Sequence, residues 1–75
     1  MTQNDDYSVN GRRIRGYRLR KMWRQEDLAR ETGVQTATIS RVETGYHRPQ
    51  LATVSKIAKA LGVDPDDLIE WHIEL

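Results

Sequence analysis

The chain of 75 residues, 37% hydrophobic and 31% charged, has the composition of one small folded domain. It contains no cysteine and two histidines, which excludes disulfides, thiolate metal sites and a zinc site built from histidines alone. No apolar run approaches the roughly 20 residues of a membrane-spanning helix, and the amino terminus lacks the pattern of a secretion signal. These features predict a cytoplasmic protein that is not an enzyme and has no metal, cofactor or membrane partner.

The net charge of +1 conceals an uneven distribution along the chain. Residues 1–10 carry −2, residues 11–48 carry +6 and residues 49–75 carry −3. A basic stretch of this kind suits a polyanion such as a nucleic acid. The alternative at this point is that the arginines only solvate a helix surface.

Apolar spacing and glycine or proline breaks predict helices and no strand of useful length. Residues 1–9 are polar and acidic, so we expect a flexible tail ahead of a single domain at 10–75. The first helix is expected at about 11–22. Its inward-facing stripe ends at Met22 and includes one charge, Arg18.

The second and third helices are expected at about 25–32 and 36–44. Each is followed by a glycine, Gly33 or Gly45, and glycine takes the left-handed conformation that ends a helix at no steric cost. Two short helices joined by such a turn define a helix-turn-helix unit, here at about residues 25–44.

The rest of the chain predicts two more helices. Pro49 disfavours helix at the residue before it, so the fourth helix is expected at about 50–61. Asp64 and Pro65 match the cap and first residue of a fifth helix at about 65–75. The whole pattern predicts an all-α, compact five-helix domain.

The third helix has a face suited to reading DNA. Its apolar residues Ile39 and Val42 anchor it to the body, which leaves the opposite face free. Small and hydroxyl side chains there allow close approach to a major groove, and an arginine can donate two hydrogen bonds to guanine. The alternative is an ordinary helical hairpin with a solvated outer face. The free face carries Thr36, Ala37, Ser40, Arg41 and Thr44.

Short motifs run in order through most of the chain, over about residues 11–70. They are Arg13-Ile14-Arg15-Gly16-Tyr17-Arg18, Gln25-Glu26-Asp27-Leu28-Ala29, Gly33-Val34, Thr38-Ile39-Ser40-Arg41-Val42-Glu43, Gly45, Pro49, Thr53 to Val63, and Asp67-Leu68. Together they resemble the Cro/CI (Xre-like) helix-turn-helix family of phage and bacterial regulators. The resemblance implies a lambda-repressor-like fold and a nucleoid-associated regulator of transcription. It also implies binding to double-stranded operator DNA as a homodimer.

The resemblance assigns roles to particular side chains. Gln25 matches the glutamine that binds a DNA phosphate at the start of the second helix, where the helix dipole also favours an anion. The residues expected to meet base edges are Thr36, Ala37, Ser40 and Arg41. Further phosphate contacts are expected from Arg24, Gln35, Thr44, Tyr46, His47 and Arg48. Arg24 and Gln35 replace the Ser or Thr cap frequent in the family, a loss of roughly 0.5–2 kcal/mol in capping.

Arg18 and Glu43 both fall within apolar stripes, where a lone charge would be costly. Their opposite charges on the inward faces of the first and third helices predict a structural ion pair. The family pattern points to the same pairing. Its expected role is to orient the third helix.

The predicted fifth helix carries more apolar residues than one packing face needs. We interpret the excess as a dimer interface formed by Leu68, Trp71, His72 and Leu75. The alternative is that Trp71 and its neighbours fold back to close the core. Two other functions stay open: an antitoxin or other protein-binding module that also regulates its own gene, and a restriction-modification controller or phage switch protein.

Overall fold

A computed structural model describes residues 6–73, and across these residues a body of four α-helices carries a small antiparallel sheet. In chain order the elements are β1 (Tyr7–Val9), α1 (Gly11–Arg20), α2 (Gln25–Thr32), α3 (Thr36–Thr44), α4 (Leu51–Leu61), a 3-10 helix (Pro65–Asp67) and β2 (Ile69–Trp71). The bounds predicted for the second and third helices are confirmed, and α4 begins one residue later than expected. Over the same residues, no helix is long and apolar enough to span a membrane.

The first helix ends earlier than predicted, at Arg20. The backbone N–H groups of Lys21 and Trp23 both donate to the carbonyl of Arg18, at 3.1 and 3.2 Å, which closes the helix and reverses the chain. Met22 stands in the left-handed region with φ 59° and is 91% exposed. The prediction that Met22 packs inward is therefore wrong, because the closing turn carries it away from the core.

The expected fifth helix is replaced by a turn and a strand. Asp64 does cap a helical turn, since its Oδ1 accepts the backbone N–H of Asp66 at 2.9 Å, but the turn is a 3-10 helix and ends at Asp67. The chain then extends as β2, which pairs antiparallel with β1 in the register Tyr7–Trp71, Ser8–Glu70 and Val9–Ile69. The predicted fifth helix is wrong because residues 69–71 are a strand. The predicted flexible tail is wrong at residues 7–9, because these residues pair with that strand. Residues 1–5 and 74–75, including Leu75, lie outside the described residues.

The core lies where the four helices meet, and Leu68, the residue after the 3-10 helix, packs into it. Its buried residues are Ile14, Leu28, Ala29, Ile39, Val42, Val54, Ile57, Ala58, Leu61 and Leu68. Leu68 has no exposed surface, so its assignment to a dimer interface is wrong. Leu68 lies against α4 instead, because the chain after α4 folds back over the helices. Trp23, Val34 and Ile69 pack around the edge of this core.

Gly11, the first residue of α1, lies against the backbone of α3. A Cβ at this position would stand 2.6 Å from the carbonyl oxygen of Glu43 and closer still to that of Val42. The beginning of α1 and the end of α3 can approach this closely only if residue 11 has no side chain. Asn10 accepts the N–H of Arg13 at 3.0 Å and so caps α1 at the same point.

Gly11→Ala is expected to lower the free energy of unfolding by about 1–3 kcal/mol, because a methyl group would press on backbone that cannot rotate away. Gly16→Ala is the matched control in the same helix, with no atom within 4 Å of the added Cβ. It should raise stability by roughly 0.5–1 kcal/mol through helix propensity. Urea denaturation of both variants measures the difference, and equal effects would contradict the close approach of α1 and α3.

Candidate nucleic-acid interface

The helix-turn-helix unit consists of α2, the turn at Gly33 and α3. Gly33 ends α2 with φ 77°, and its N–H donates to the carbonyl of Ala29 at 2.8 Å. This turn directs α3 across the body, where Ile39 and Val42 are buried. One side of α3 is therefore fixed by apolar packing, and its position on the body is set.

The opposite side of α3 faces away from the core. The structure leaves Thr36, Ala37 and Arg41 exposed and Ser40 half-buried on this side, so the four predicted base-reading residues share one surface. Thr44 lies at the end of the same side, but its hydroxyl donates to the carbonyl of Ser40 at 3.0 Å. The Thr44 proton is thus used within the helix, which disfavours Thr44 as a phosphate donor.

The amino-terminal ends of α2 and α3 carry three of the predicted phosphate contacts. Gln35 precedes α3, is exposed and makes no side-chain bond to the helix it begins. The side chain of Arg24 extends into solvent, and its Nη1 lies 3.7 Å from Glu26. Because the first N–H groups of a helix are unpaired and its dipole is positive there, exposed donors at these ends suit an anion.

Arg24 replaces the usual capping residue and makes no side-chain cap, but Asp27 binds the backbone at the start of α2. The backbone N–H of Arg24 donates to Oδ2 of Asp27 at 2.7 Å, and Arg30 Nη2 lies 2.6 Å from the other carboxylate oxygen. The Arg24 backbone hydrogen bond, with help from the Arg30 side chain, lowers the pKa of Asp27. The carboxylate at the third helical position thus makes the reciprocal hydrogen bond of a capping box, while the Arg24 side chain itself makes no cap.

Arg18 and Glu43 form a buried ion pair between α1 and the carboxyl-terminal end of α3. Arg18 donates from Nε to Oε2 of Glu43 at 2.6 Å and from Nη2 to Oε1 at 2.9 Å, and its Nη1 donates to the carbonyl of Trp23 at 2.8 Å. The hydrogen bond to Glu43 raises the pKa of Arg18, so the guanidinium stays charged. The structure therefore brings together the two residues whose pairing the sequence predicts.

Gln25 also joins this cluster. Its Nε2 donates to Oε1 of Glu43 at 3.1 Å, so the side chain is oriented from behind by the ion pair. A glutamine amide carries two N–H groups, and Glu43 accepts from one of them. A phosphate at the start of α2 would take the other, and the contact to Glu43 would fix the direction in which it points.

The loop between α3 and α4 carries the remaining predicted phosphate contacts. Two of them extend into solvent, and the third bonds to the body of the protein. Tyr46 is 87% exposed and His47 is exposed beside it. Arg48 instead turns back on the body, where its Nη1 donates to the carbonyl of Tyr7 at 2.9 Å. Its guanidinium carbon lies 4.6 Å from the centre of the Tyr7 ring. The sequence prediction missed Tyr7 altogether, although the apolar-polar-apolar order of Tyr7-Ser8-Val9 is a weak signal for a strand.

At the carboxyl end, Trp71 is half-exposed on β2, and His72 shares a hydrogen bond of 2.9 Å with the hydroxyl of Ser8. His72 is thus held against β1, and among the described residues of the predicted dimer interface Trp71 is the exposed apolar one. Among the described residues, no cluster of His, Cys, Asp or Glu could hold a metal ion.

Glu43→Ala is expected to lower the free energy of unfolding by about 3–5 kcal/mol, because Arg18 would remain buried without a carboxylate. Glu26→Ala removes the exposed carboxylate near Arg24 and should change stability by no more than about 0.5 kcal/mol. Thermal and urea denaturation of the two variants would check this, and a Glu43 variant as stable as the parent would refute a structural role for the pair.

Comparison with known proteins agrees with this geometry. Residues 14–68 match the helix-turn-helix family HTH_3. The control protein C.BamHI of Bacillus amyloliquefaciens is 40% identical over 62 residues, which cover 81% of this chain and 76% of that protein.

Two solved structures share the fold. The restriction-modification controller C.AhdI of Aeromonas hydrophila superposes with a TM-score of 0.74 at 33% identity, covering 76% of this chain and 86% of that one. The P22 c2 repressor, solved in complex with a synthetic operator, gives a TM-score of 0.74 at 32% identity over 79% of this chain and 89% of that one. Because residues 14–68 match this family, the chain belongs to the helix-turn-helix family of DNA-binding transcription regulators of the Cro/CI (Xre-like) type.

Proposed function

We propose that this protein is a sequence-specific transcriptional regulator that reads the major groove of double-stranded DNA with α3, in the cytoplasm and associated with the nucleoid. The observation that carries the proposal is the two-sidedness of α3. Ile39 and Val42 hold one side in the core, while Thr36, Ala37 and Arg41 face outward. A helix that is rigidly held and presents small side chains and one arginine outward fits a major groove.

Contacts to the DNA backbone complete the proposed interface. Gln25, Arg24 and Gln35 lie at the amino-terminal ends of α2 and α3, and Tyr46 and His47 follow the carboxyl-terminal end of α3. Donors at both ends of the reading helix would hold the phosphates on either side of the groove. Such contacts fix the register but carry no base information, and they weaken as salt is added.

A relative supports DNA as the partner. The P22 c2 repressor, whose structure this chain resembles over most of its length, is solved with a synthetic operator. Selection of bound duplexes from a random pool, followed by footprinting at two salt concentrations, tests the function directly. A recurring sequence motif is expected, and recovery of random sequences alone would overturn sequence-specific reading.

Arg41→Ala is expected to relax the preference at one base position, at a cost of roughly 1–3 kcal/mol, because arginine can donate two hydrogen bonds to guanine. Lys56→Ala on α4 is the control, since it also removes one exposed positive charge but lies outside the helix-turn-helix unit. Binding is measured on the selected duplex and on its single-base variants. A loss that is equal on all sequences would identify Arg41 as a phosphate contact.

We also propose that the protein acts as a homodimer through its carboxyl-terminal end. Trp71 and Ile73 are 47% and 54% exposed, so two large apolar side chains lie at the surface close together in the chain. A two-fold arrangement buries the same surface of both copies and directs the two reading helices to inverted half-sites about 10 base pairs apart.

Ile73→Glu tests the dimer, because a carboxylate at the centre of an apolar contact would have to lose its hydration. Sedimentation equilibrium should show a parent that dimerises and a variant that remains monomeric over the same concentration range. Met22→Glu, which places a carboxylate on a more exposed apolar residue elsewhere on the surface, is the control. A dimer that survives Ile73→Glu would locate the interface elsewhere.

A narrower role is favoured by two relatives. C.BamHI is named a control protein and C.AhdI a restriction-modification controller, and both resemble this chain over three quarters or more of its length. Control of a restriction-modification system is therefore the second candidate. Footprinting on the DNA upstream of this protein's own gene and of its neighbours distinguishes a controller of adjacent genes from a regulator of distant ones.

A further inference from the structure

Tyr7, on β1, contacts the loop between α3 and α4 in three ways. Its hydroxyl donates to the carbonyl of Pro49 at 2.8 Å, in a buried hydrogen bond. Its own carbonyl accepts from Nη1 of Arg48 at 2.9 Å, and its ring lies 4.6 Å from the Arg48 guanidinium carbon. One residue near the amino terminus therefore holds two consecutive residues of a loop more than 40 positions later in the chain.

Tyr7 is itself held firmly. It is 6% exposed, it is paired with Trp71 of β2, and the two rings lie 5.9 Å apart. Backbone hydrogen bonds continue on both sides, from Asn10 to the carbonyl of Leu68 at 2.8 Å and from His72 to that of Asp6 at 2.7 Å. The sheet thus gives Tyr7 a fixed place from which to restrain the loop.

The restrained loop begins at the carboxyl end of the reading helix. Gly45 ends α3, and Tyr46 and His47 follow with their side chains exposed. The backbone N–H groups of Tyr46 and His47 both donate to the carbonyl of Arg41, at 2.9 and 3.3 Å, which fixes the near end of the loop to α3. The far end of the loop is the part that Tyr7 holds.

We propose that Tyr7 is a positioning residue for DNA binding, which holds this loop so that Tyr46 and His47 reach the phosphate backbone. Arg48 acts in the same restraint and not on the DNA. This inference rests on the proposed function and adds to it the strand β1, whose residues do not touch the DNA themselves.

A positioning role differs from a stabilising one in what it changes. Loss of stability alone lowers the melting temperature but leaves the affinity of the folded protein unaltered. Loss of loop position weakens phosphate contacts, and these carry no base information. Tyr7 is therefore expected to affect binding to all sequences equally, together with the salt dependence of binding.

The test uses Tyr7→Phe, which keeps the ring beside Arg48 and removes only the hydroxyl that binds Pro49. The probes are a duplex selected from a random pool by the parent protein and a scrambled duplex of the same base composition. Well below the melting temperature, binding to both is expected to weaken roughly three- to tenfold, the scale of one hydrogen bond. The ratio between the two duplexes should stay unchanged and the slope of log affinity against log salt should become shallower.

Ser8→Ala is the matched control on the same strand. It removes a hydrogen bond from β1 to His72, not to the loop, so it should bind as the parent does. Tyr7→Phe is also made in a background with Tyr46→Ala and His47→Ala. If Tyr7 acts through these two side chains, Tyr7→Phe should not weaken binding further in this background, because the side chains that Tyr7 positions are already absent.

Arg48→Met provides a second variant that does not depend on Tyr7→Phe being well folded. It removes the contacts from Arg48 to the carbonyl and ring of Tyr7 and should weaken binding to both duplexes in the same way. Its effect should also disappear in the background with Tyr46→Ala and His47→Ala. An effect of Arg48→Met that persists in that background would mean that Arg48 contacts the DNA itself and would overturn its place in the restraint.

The outcomes separate this inference from the function on which it rests. A parent that does not distinguish the two duplexes overturns the proposed function, and the positioning role with it. A parent that distinguishes them while Tyr7→Phe binds as tightly as the parent overturns the positioning role alone. A Tyr7→Phe variant that loses discrimination instead of uniform affinity would also overturn it, because Tyr7 would then act through α3.

Discussion

The carboxylate of Glu43 is the group through which α3 is hydrogen-bonded to both α1 and α2. It is buried near the carboxyl end of α3, accepts two hydrogen bonds from Arg18 of α1 and one from Gln25 of α2, and so joins three helices at one point. Burying the two charges costs desolvation energy, and apolar residues of similar size could be equally stable. Apolar packing would not fix the orientation of these groups as well. The hydrogen bonds to Glu43 have fixed geometry, so they set both the rotation of α3 about its axis and the direction of the Gln25 side chain.

Where the sequence carries a local signal, it predicts the structure well. Gly33 and Gly45 mark the ends of α2 and α3 because each adopts a positive φ that other residues rarely take. The charges at positions 18 and 43 were predictable as a pair because each interrupts an apolar stripe. Each of these signals can be recognised within about ten residues of chain; the glycines mark the ends of the helices of the helix-turn-helix unit, and the charges indicate how α1 contacts it.

Apart from the early end of α1, the errors concern contacts between distant parts of the chain. Asp64 and Pro65 do begin a helical turn, but whether that turn continues depends on a strand some sixty residues away, which pairs with residues 69–71. Gly11 resembles any residue at a helix start until the backbone of α3 is known to lie against it. The role of Arg48 is equally hidden, since an arginine in a loop beside the reading helix suits a phosphate contact until Tyr7 is found beneath it.

These distant contacts show that residues near the amino terminus pack against the helix-turn-helix unit and the loop after it, which their polar composition does not indicate. Gly11 allows α1 to rest on the backbone of α3 near Glu43, and Tyr7 holds the loop that follows α3. The two residues are four positions apart and contact adjacent parts of the chain, namely the end of α3 and the loop that follows it. At the same end of α3, Gln25 reaches Glu43 from α2. The contacts from β1, α1 and α2 therefore converge on the carboxyl-terminal end of α3 and the loop after it, and some of them come from residues whose composition resembles that of a tail.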